Sequence, residues 1–387
     1  MQYGRPIRHL WELADDATFL NHGSFGACPK EVLAEQDRIR RRMESAPDAF
    51  FRNDVMPREG ATALRSAASA IAAFVNAQGR QLAFVENATL GVQAVLRSIP
   101  LAAGDQVLIT DHTYNAVRLM VDARCAETGA SPLVARIGIP ESDGEIVERV
   151  LGAVTPSTRV AILDHITSPT ALVFPLERIL PELRTRGVRV IVDGAHAIGQ
   201  IPLDLDTLRP DWYVSNLHKW LFAPKGTAFL YVADEVAPMT RPNVVSHYID
   251  RGFPDAFDYT GTRDASGWLA APAALRFFER VVSEEARTYQ KSLLALATER
   301  LDPVARPIAP MALAGTMRSF HLQQSRAATG DDAVELMRIF WERDRIQVHA
   351  SAFDGRLLTR ISAQIYVDGN DLDRYREGLD RHGWPGR

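Results

Sequence analysis

The chain has 387 residues, a formal net charge of −4, and 24% charged against 46% hydrophobic residues. That balance fits an ordinary soluble globular protein large enough for two domains, and it leaves no electrostatic footprint for nucleic acid or an anionic membrane. Cys28 and Cys125 are too few and too far apart for a disulfide framework or a zinc site, and neither a signal-peptide core nor a membrane-length run is visible, so a cytoplasmic protein is expected.

In chain order, residues 8–18 read as a short amphipathic helix leading into Thr18-Phe-Leu-Asn-His-Gly-Ser-Phe-Gly26, whose glycines mark a turn. Helical patterns follow at 29–43 and 57–76, the second with Leu64, Ala68, Ile71 and Val75 on one stripe. A regular alternation comes next. Strands are predicted at 82–85, 106–110, 133–136, 160–164, 188–193, 212–215 and 228–232, with helices at 89–98, 114–128, 145–153 and 176–186. Strands alternating with helices predict a mostly parallel seven-stranded sheet covered on both faces, with ligands bound outside the carboxyl ends of its strands. Beyond residue 260 the pattern changes to one long helix from 268, a proline-marked linker at 303–310, strands at 316–322, 346–349 and 357–362, and helices at 332–344 and 372–381. These make a smaller α+β domain. The expected division is 19–262 for the large domain and 263–387 for the small one, with 1–18 packed beside the latter.

The strand ends carry the chemistry. The run Trp212-Tyr-Val-Ser-Asn-Leu-His-Lys-Trp220 delivers Lys219, one of only four lysines, to the end of a buried strand. A lysine there either snorkels to the surface or forms a Schiff base, which an arginine cannot do. Val190-Ile-Val-Asp-Gly-Ala-His196 places Asp193 after an apolar run, so a cationic partner is expected: an arginine, or the protonated nitrogen of a pyridine ring. Glu86-Asn-Ala-Thr89 opens a helix and offers backbone N–H groups to a phosphate, although a threonine there is also an ordinary cap. Asp111-His-Thr-Tyr-Asn115 brings an imidazole and a phenol to the rim, and Asp164-His-Ile-Thr-Ser-Pro-Thr170 is a polar loop within reach. An amine, an acid, an anion-binding helix start and a flat ring form the inventory that pyridoxal 5′-phosphate needs.

On these residues the chain resembles the fold-type I pyridoxal-phosphate enzymes of the class V aminotransferase family over nearly its full length. Asp193-Gly-Ala-His196 and Asn216-Leu-His-Lys-Trp220 carry the family resemblance. Leu20-Asn-His-Gly-Ser-Phe-Gly26, His218-Lys-Trp-Leu-Phe-Ala-Pro-Lys-Gly226 and Tyr259-Thr-Gly-Thr-Arg-Asp264 are most similar to the isopenicillin N epimerase-like branch. The resemblance implies that Lys219 carries the cofactor, that Asp193 pairs with its ring nitrogen, and that His196 and the 167–170 loop, with Thr170, sit near its phenolic oxygen. Ala88, Thr89, Asn216 and His218 would hold the phosphate, with Thr262 reaching it from a neighbouring subunit of a homodimer. Arg360, in Leu358-Thr-Arg-Ile-Ser362, would bind the substrate α-carboxylate, with Asn21 and Ser24 beside it. His112 or Tyr114 would stack on the ring and supply a second acid.

The implied activity is chemistry at Cα of an amino acid or an amino-acid-bearing natural-product intermediate. Epimerisation stands first, with β-elimination of a C–S bond or transamination as alternatives. Persulfide-forming desulfuration is disfavoured, because His349-Ala-Ser-Ala-Phe-Asp-Gly-Arg356 holds no cysteine. A metal-dependent hydrolase built on Asp111/His112, Asp164/His165 and Asp193/His196 is the reading from a different class; it leaves Lys219 without a role.

Overall fold

The computed structural model describes residues 2–383. The strands of the central stretch are Leu82–Val85, Gln106–Thr110, Ser131–Ala135, Thr158–Asp164, Arg189–Asp193, Trp212–Asn216 and Ala228–Val232. They form one seven-stranded sheet in which 82–85 lies at one edge, followed by 228–232, 212–216, 189–193, 158–164, 106–110 and 131–135. Only 228–232 runs antiparallel to its neighbours. The inner strands are buried along their length because helices cover both faces, which is why they read as unbroken apolar runs rather than alternations. The topology brings Asp164, Asp193 and Asn216 to one rim: Asp164 is the register partner of Asp193, and Asp193 of Val214.

The C-terminal part builds a four-stranded antiparallel sheet from Ala305–Pro307, Met317–Leu322, His349–Phe353 and Arg356–Ser362. Arg360 stands on its longest strand, paired with Ser319 and His349. The N-terminal segment is held against this part of the chain. Thr18–Phe19 pairs in parallel with Ile346–Gln347, and the Ser362 N–H donates to the Leu20 carbonyl at 2.9 Å. Asn21 to Gly26 is thereby carried in front of Arg360.

Several expectations differ from what is seen. Residues 8–18 do not form a helix. A 3-10 turn, Arg5–Leu10, ends at Trp11, whose ring buries itself among Phe222, Phe277 and Tyr366. The helix expected from 57 begins only at Ala63, where the Thr62 side chain accepts the Arg65 N–H at 3.1 Å. Pro57 and Gly60 disfavour helix before that point. The long helix expected from 268 is three pieces, Ser266–Leu269, Ala271–Val281 and Glu284–Leu301, and Ser283 caps the last by accepting the Ala286 N–H. Two short helical turns, Pro47–Phe50 and Phe51–Val55, have no clear periodic signal and were not anticipated. Among the described residues no helix is long and apolar enough to cross a membrane.

Candidate active site

A cavity of about 170 Å³ opens at the carboxyl ends of the large sheet's strands. Lys219, Asp193, His196, Asn216, His218, Ala88, Thr89, Tyr114 and Ser24 all line it. A wider cavity of about 690 Å³ lies beyond the 21–26 segment, and Phe25, 74% exposed, lines both.

Lys219 follows the last residue of the Trp212–Asn216 strand by one tight turn, in which its N–H reaches back to the Asn216 carbonyl at 3.4 Å. The N-terminal segment fixes that turn from outside. His22 is fully buried; its Nε2–H donates to the Lys219 carbonyl at 2.9 Å while its Nδ1 accepts from the Tyr366 hydroxyl at 2.6 Å. Gly26, at φ +24°, lets the two backbones touch: a Cβ there would lie 2.3 Å from the His218 carbonyl oxygen. Sequence reading did not assign His22 a role, although it stands in the Asn-His-Gly-Ser-Phe-Gly motif.

The electrostatics favour a neutral amine. Burial and the nearby Arg360 charge bring the Lys219 ammonium down to about 7, against a smaller opposing pull from Asp193. Its Nζ is 3.2 Å from Nε2 of His196. Burial, followed by the cations Lys219 and Arg360, holds the His196 imidazole well below its usual range, so the ring is neutral. Burial likewise raises the Asp193 carboxyl; the Ala195 N–H at 3.0 Å and the Lys219 charge work in the other direction.

At the helix Ala88–Ser98 the start is more occupied than expected. The Asn216 side-chain oxygen accepts the Ala88 N–H at 2.8 Å, and Asn87 caps Leu90. Thr89 lines the cavity beside them. His218 donates from Nδ1 to the Thr227 carbonyl at 2.9 Å, and burial takes it down to about 4.

Arg360 lies just behind the cavity wall. Its guanidinium donates to the Ser168 carbonyl at 2.5 Å, to Ser24 Oγ at 3.0 Å and to Asn21 Oδ1 at 3.3 Å, and its buried Nε has no partner. All three partners are neutral. Burial brings this guanidinium down to about 9. A buried cation bonded only to neutral acceptors is short of a counter-charge.

Of the two rings at the end of Gln106–Thr110, Tyr114 lines the cavity and is 45% exposed. His112 does not: its Nε2–H donates to the Gly138 carbonyl at 2.6 Å, its Nδ1 accepts from Thr170 at 2.6 Å, and its ring packs on Phe353. With both nitrogens spent, His112 is placed as a buried support for the 167–170 loop rather than as a ring over a ligand. Thr170 is consumed in the same network, bonding Thr167 at 2.7 Å. Thr262 is exposed, pairs with the Tyr259 hydroxyl at 3.0 Å, and does not reach this chain's own cavity. Asp164, singled out only for the metal reading, and Ser168, within the polar loop, also line the cavity. The signal for Asp164 was available: it ends an apolar run just as Asp193 does.

The metal reading finds no support in this arrangement. His165 is bonded to the Tyr213 hydroxyl at 2.8 Å, His112 is spent as described, and no group of three or more His, Cys, Asp or Glu among the described residues is arranged to hold a metal ion.

A large mostly parallel sheet, a smaller antiparallel sheet behind it, and a lysine–aspartate cavity at the strand ends define a fold-type I pyridoxal-phosphate enzyme. The aminotransferase class-V family model matches residues 27–329. Isopenicillin N epimerase of Amycolatopsis lactamdurans is 33% identical over 386 residues, covering 94% of this chain and 94% of its own length. A putative L-cysteine desulfhydrase of Oryza sativa subsp. japonica is 30% identical over 406 residues, covering 94% of this chain and 82% of its own length. Among solved structures, the cystine C–S lyase C-DES in complex with its product cysteine persulfide shares the fold, with a TM-score of 0.78 at 21% identity over 94% of this chain and 97% of that one. The chain belongs to the class-V aminotransferase family, and pyridoxal 5′-phosphate is its cofactor.

Proposed function

We propose that the protein is an epimerase acting at Cα of an amino acid or an amino-acid-bearing intermediate. The observation that carries this reading is that Lys219 and Tyr114, an amine of lowered basicity and a phenol, line one cavity with Arg360 behind it. Bound pyridoxal 5′-phosphate supplies an aldehyde for amine capture and an electron-withdrawing ring that acidifies Cα.

This chain's residues do the rest. Lys219 holds the cofactor covalently and, as a free amine, takes the Cα proton. Asp193 would pair with the ring nitrogen of the bound cofactor and favour its protonated form; opposite charges at ~4 Å attract by roughly 4 kcal/mol at an effective dielectric of ~20. Thr89, Asn216 and His218 would form the phosphate end, with the Ala88 N–H holding Asn216 in place, and His196 and the 167–170 loop would form the phenolic-oxygen side. Arg360, with Asn21 and Ser24, takes the substrate carboxylate in a charge-assisted pair and so orients the Cα–H bond. Tyr114, which lines the cavity, would lie against the ring and be the acid that returns a proton to Cα. Thr262 completes the phosphate site of the second subunit in a homodimer. The two sheets correspond to domains of 19–262 and 263–387, with 1–18 beside the latter.

A second reading is favoured by a specific observation. Elimination of a β-thioether needs only the base Lys219, and the similarity to an L-cysteine desulfhydrase extends over 94% of this chain. Persulfide transfer to the enzyme itself is disfavoured: burial pushes the Cys28 thiol up to about 12, and Cys125 is buried as well. Incubation of candidate amino acids in D2O separates the readings. Deuterium at Cα with loss of optical rotation supports epimerisation. Release of pyruvate and a thiol, with no racemised substrate, overturns it in favour of elimination.

A further inference from the structure

Two carboxylates share one wall of the cavity, and the chemistry above uses only Asp193. Asp164 and Asp193 are register partners on adjacent parallel strands, so their side chains leave the same face of the sheet from backbones about 4.8 Å apart. Both are buried, 4% and 5% exposed, and both line the cavity. Their surroundings differ. Asp193 has the Ala195 N–H and the amine of Lys219 on its side. No cation faces Asp164: only the weak pull of nearby backbone N–H groups opposes its burial and the Asp193 charge. The remaining titratable groups near the pair are the Tyr213 phenol, bonded to His165, and the neutral imidazole of His196.

Two acids so placed in a dry site do not both ionise. The negative charge settles on the better-solvated partner, Asp193, which accepts the Ala195 N–H and faces the Lys219 amine, and the proton stays on the other. We propose that Asp164 is held as a neutral carboxylic acid and acts as a positioning residue: it limits the charge opposite the cofactor's ring nitrogen to the single carboxylate of Asp193. The inference rests on the reading that Asp193 faces the ring nitrogen. The desolvation of Asp164, reinforced by the Asp193 charge, acts in the same direction.

Infrared spectroscopy of the cofactor-free protein at pH 8.5, above the value of about 7 to which burial raises the Asp258 carboxyl, tests this. Wild-type protein labelled with 13C-carboxyl aspartate should show a protonated-carboxyl C=O stretch that shifts with the label. That band should vanish in Asp164→Asn and persist in Asp193→Asn. Absence of the band in wild type overturns the proposal without recourse to any variant, and so does a band that survives Asp164→Asn but is lost in Asp193→Asn. Asp164→Asn is isosteric and also neutral, so after reconstitution it should keep the wild-type visible spectrum and cofactor affinity. A shifted spectrum with an intact fold by circular dichroism also overturns the proposal. The ring-nitrogen reading fails separately, by unchanged cofactor affinity and spectrum in Asp193→Asn.

Discussion

The indole N–H of Trp220 points at Nδ1 of His196 at 3.5 Å, while Nε2 of the same ring lies 3.2 Å from Nζ of Lys219. An indole nitrogen can only donate, so His196 accepts at Nδ1 and carries its proton on Nε2. That proton is directed at the lysine amine, which must accept it and therefore must be neutral. The tautomer and the burial of Lys219 reach the same conclusion by independent routes: this amine is a nucleophile near neutral pH.

A pH-dependent stability follows for the cofactor-free protein. The Lys219 amine titrates at about 7 when folded against 10.5 as an ordinary side chain, so the unfolded chain binds its proton first. Its burial costs nothing above pH ~10.5, costs progressively more as pH falls, and reaches its full value below pH ~7, roughly 4–5 kcal/mol at ~1.4 kcal/mol per pH unit. Lys219→Met should therefore stabilise the apo-protein most at pH 6, with the gain fading toward pH 10. Denaturant melts of both proteins across that range check the sign. A gain that grows with pH would refute it.

Arg360 has a double effect. Replacing it with Ala removes a buried charge that has no acidic partner and the charge-assisted bond to a substrate carboxylate, worth about 1.5–3 kcal/mol. KM for α-carboxylate substrates should rise about 10- to 100-fold, and KM for plain amines should change little. Arg360→Ala should also raise the pH at which the free Lys219 amine titrates, because Arg360 is the cation that lowers it. Steady-state kinetics and the pH dependence of amine labelling check the two parts separately.

Gly26→Ala should be far more costly than an ordinary loop substitution. The added Cβ meets the His218 carbonyl at 2.3 Å and Lys219 Cα at 2.8 Å, at a positive φ. A loss of about 2–4 kcal/mol is expected, with weaker cofactor retention because the turn carrying Lys219 shifts. Thermal melts and dialysis against buffer read both. An effect no larger than that of Gly60→Ala, where nothing lies within 4 Å of the added carbon, would contradict the clamp.

Cysteine chemistry gives a negative control. A double Cys28→Ser, Cys125→Ser variant should turn over its substrate at the wild-type rate, and mass spectrometry should find no persulfide on the wild-type protein after exposure to cysteine. A persulfide on Cys28 would reopen the desulfurase reading.

Much of this was legible in the residues, for identifiable reasons. Val190 to Asp193 and Trp212 to Asn216 are central strands covered on both faces, and nothing but a continuous apolar run fits that environment. Lys219, Asp193 and Tyr114 stand at strand ends, where local order alone predicts a shared rim. What depended on distant partners was hidden. The spent nitrogens of His112 come from Gly138 and Thr170, and the grip of His22 on Lys219 spans 197 positions. Residues 8–18 misled because Trp11 packs into a cluster of aromatic rings that no local pattern reveals.

Borohydride reduction of the yellow holoenzyme followed by peptide mapping tests the central claim most directly. The account predicts a single reduced pyridoxyl group on the peptide bearing Lys219, and no visible absorbance in Lys219→Ala. A pyridoxyl group on Lys225, whose ammonium reaches the Gly26 carbonyl, or an unmodified Lys219 in reduced yellow protein would contradict it.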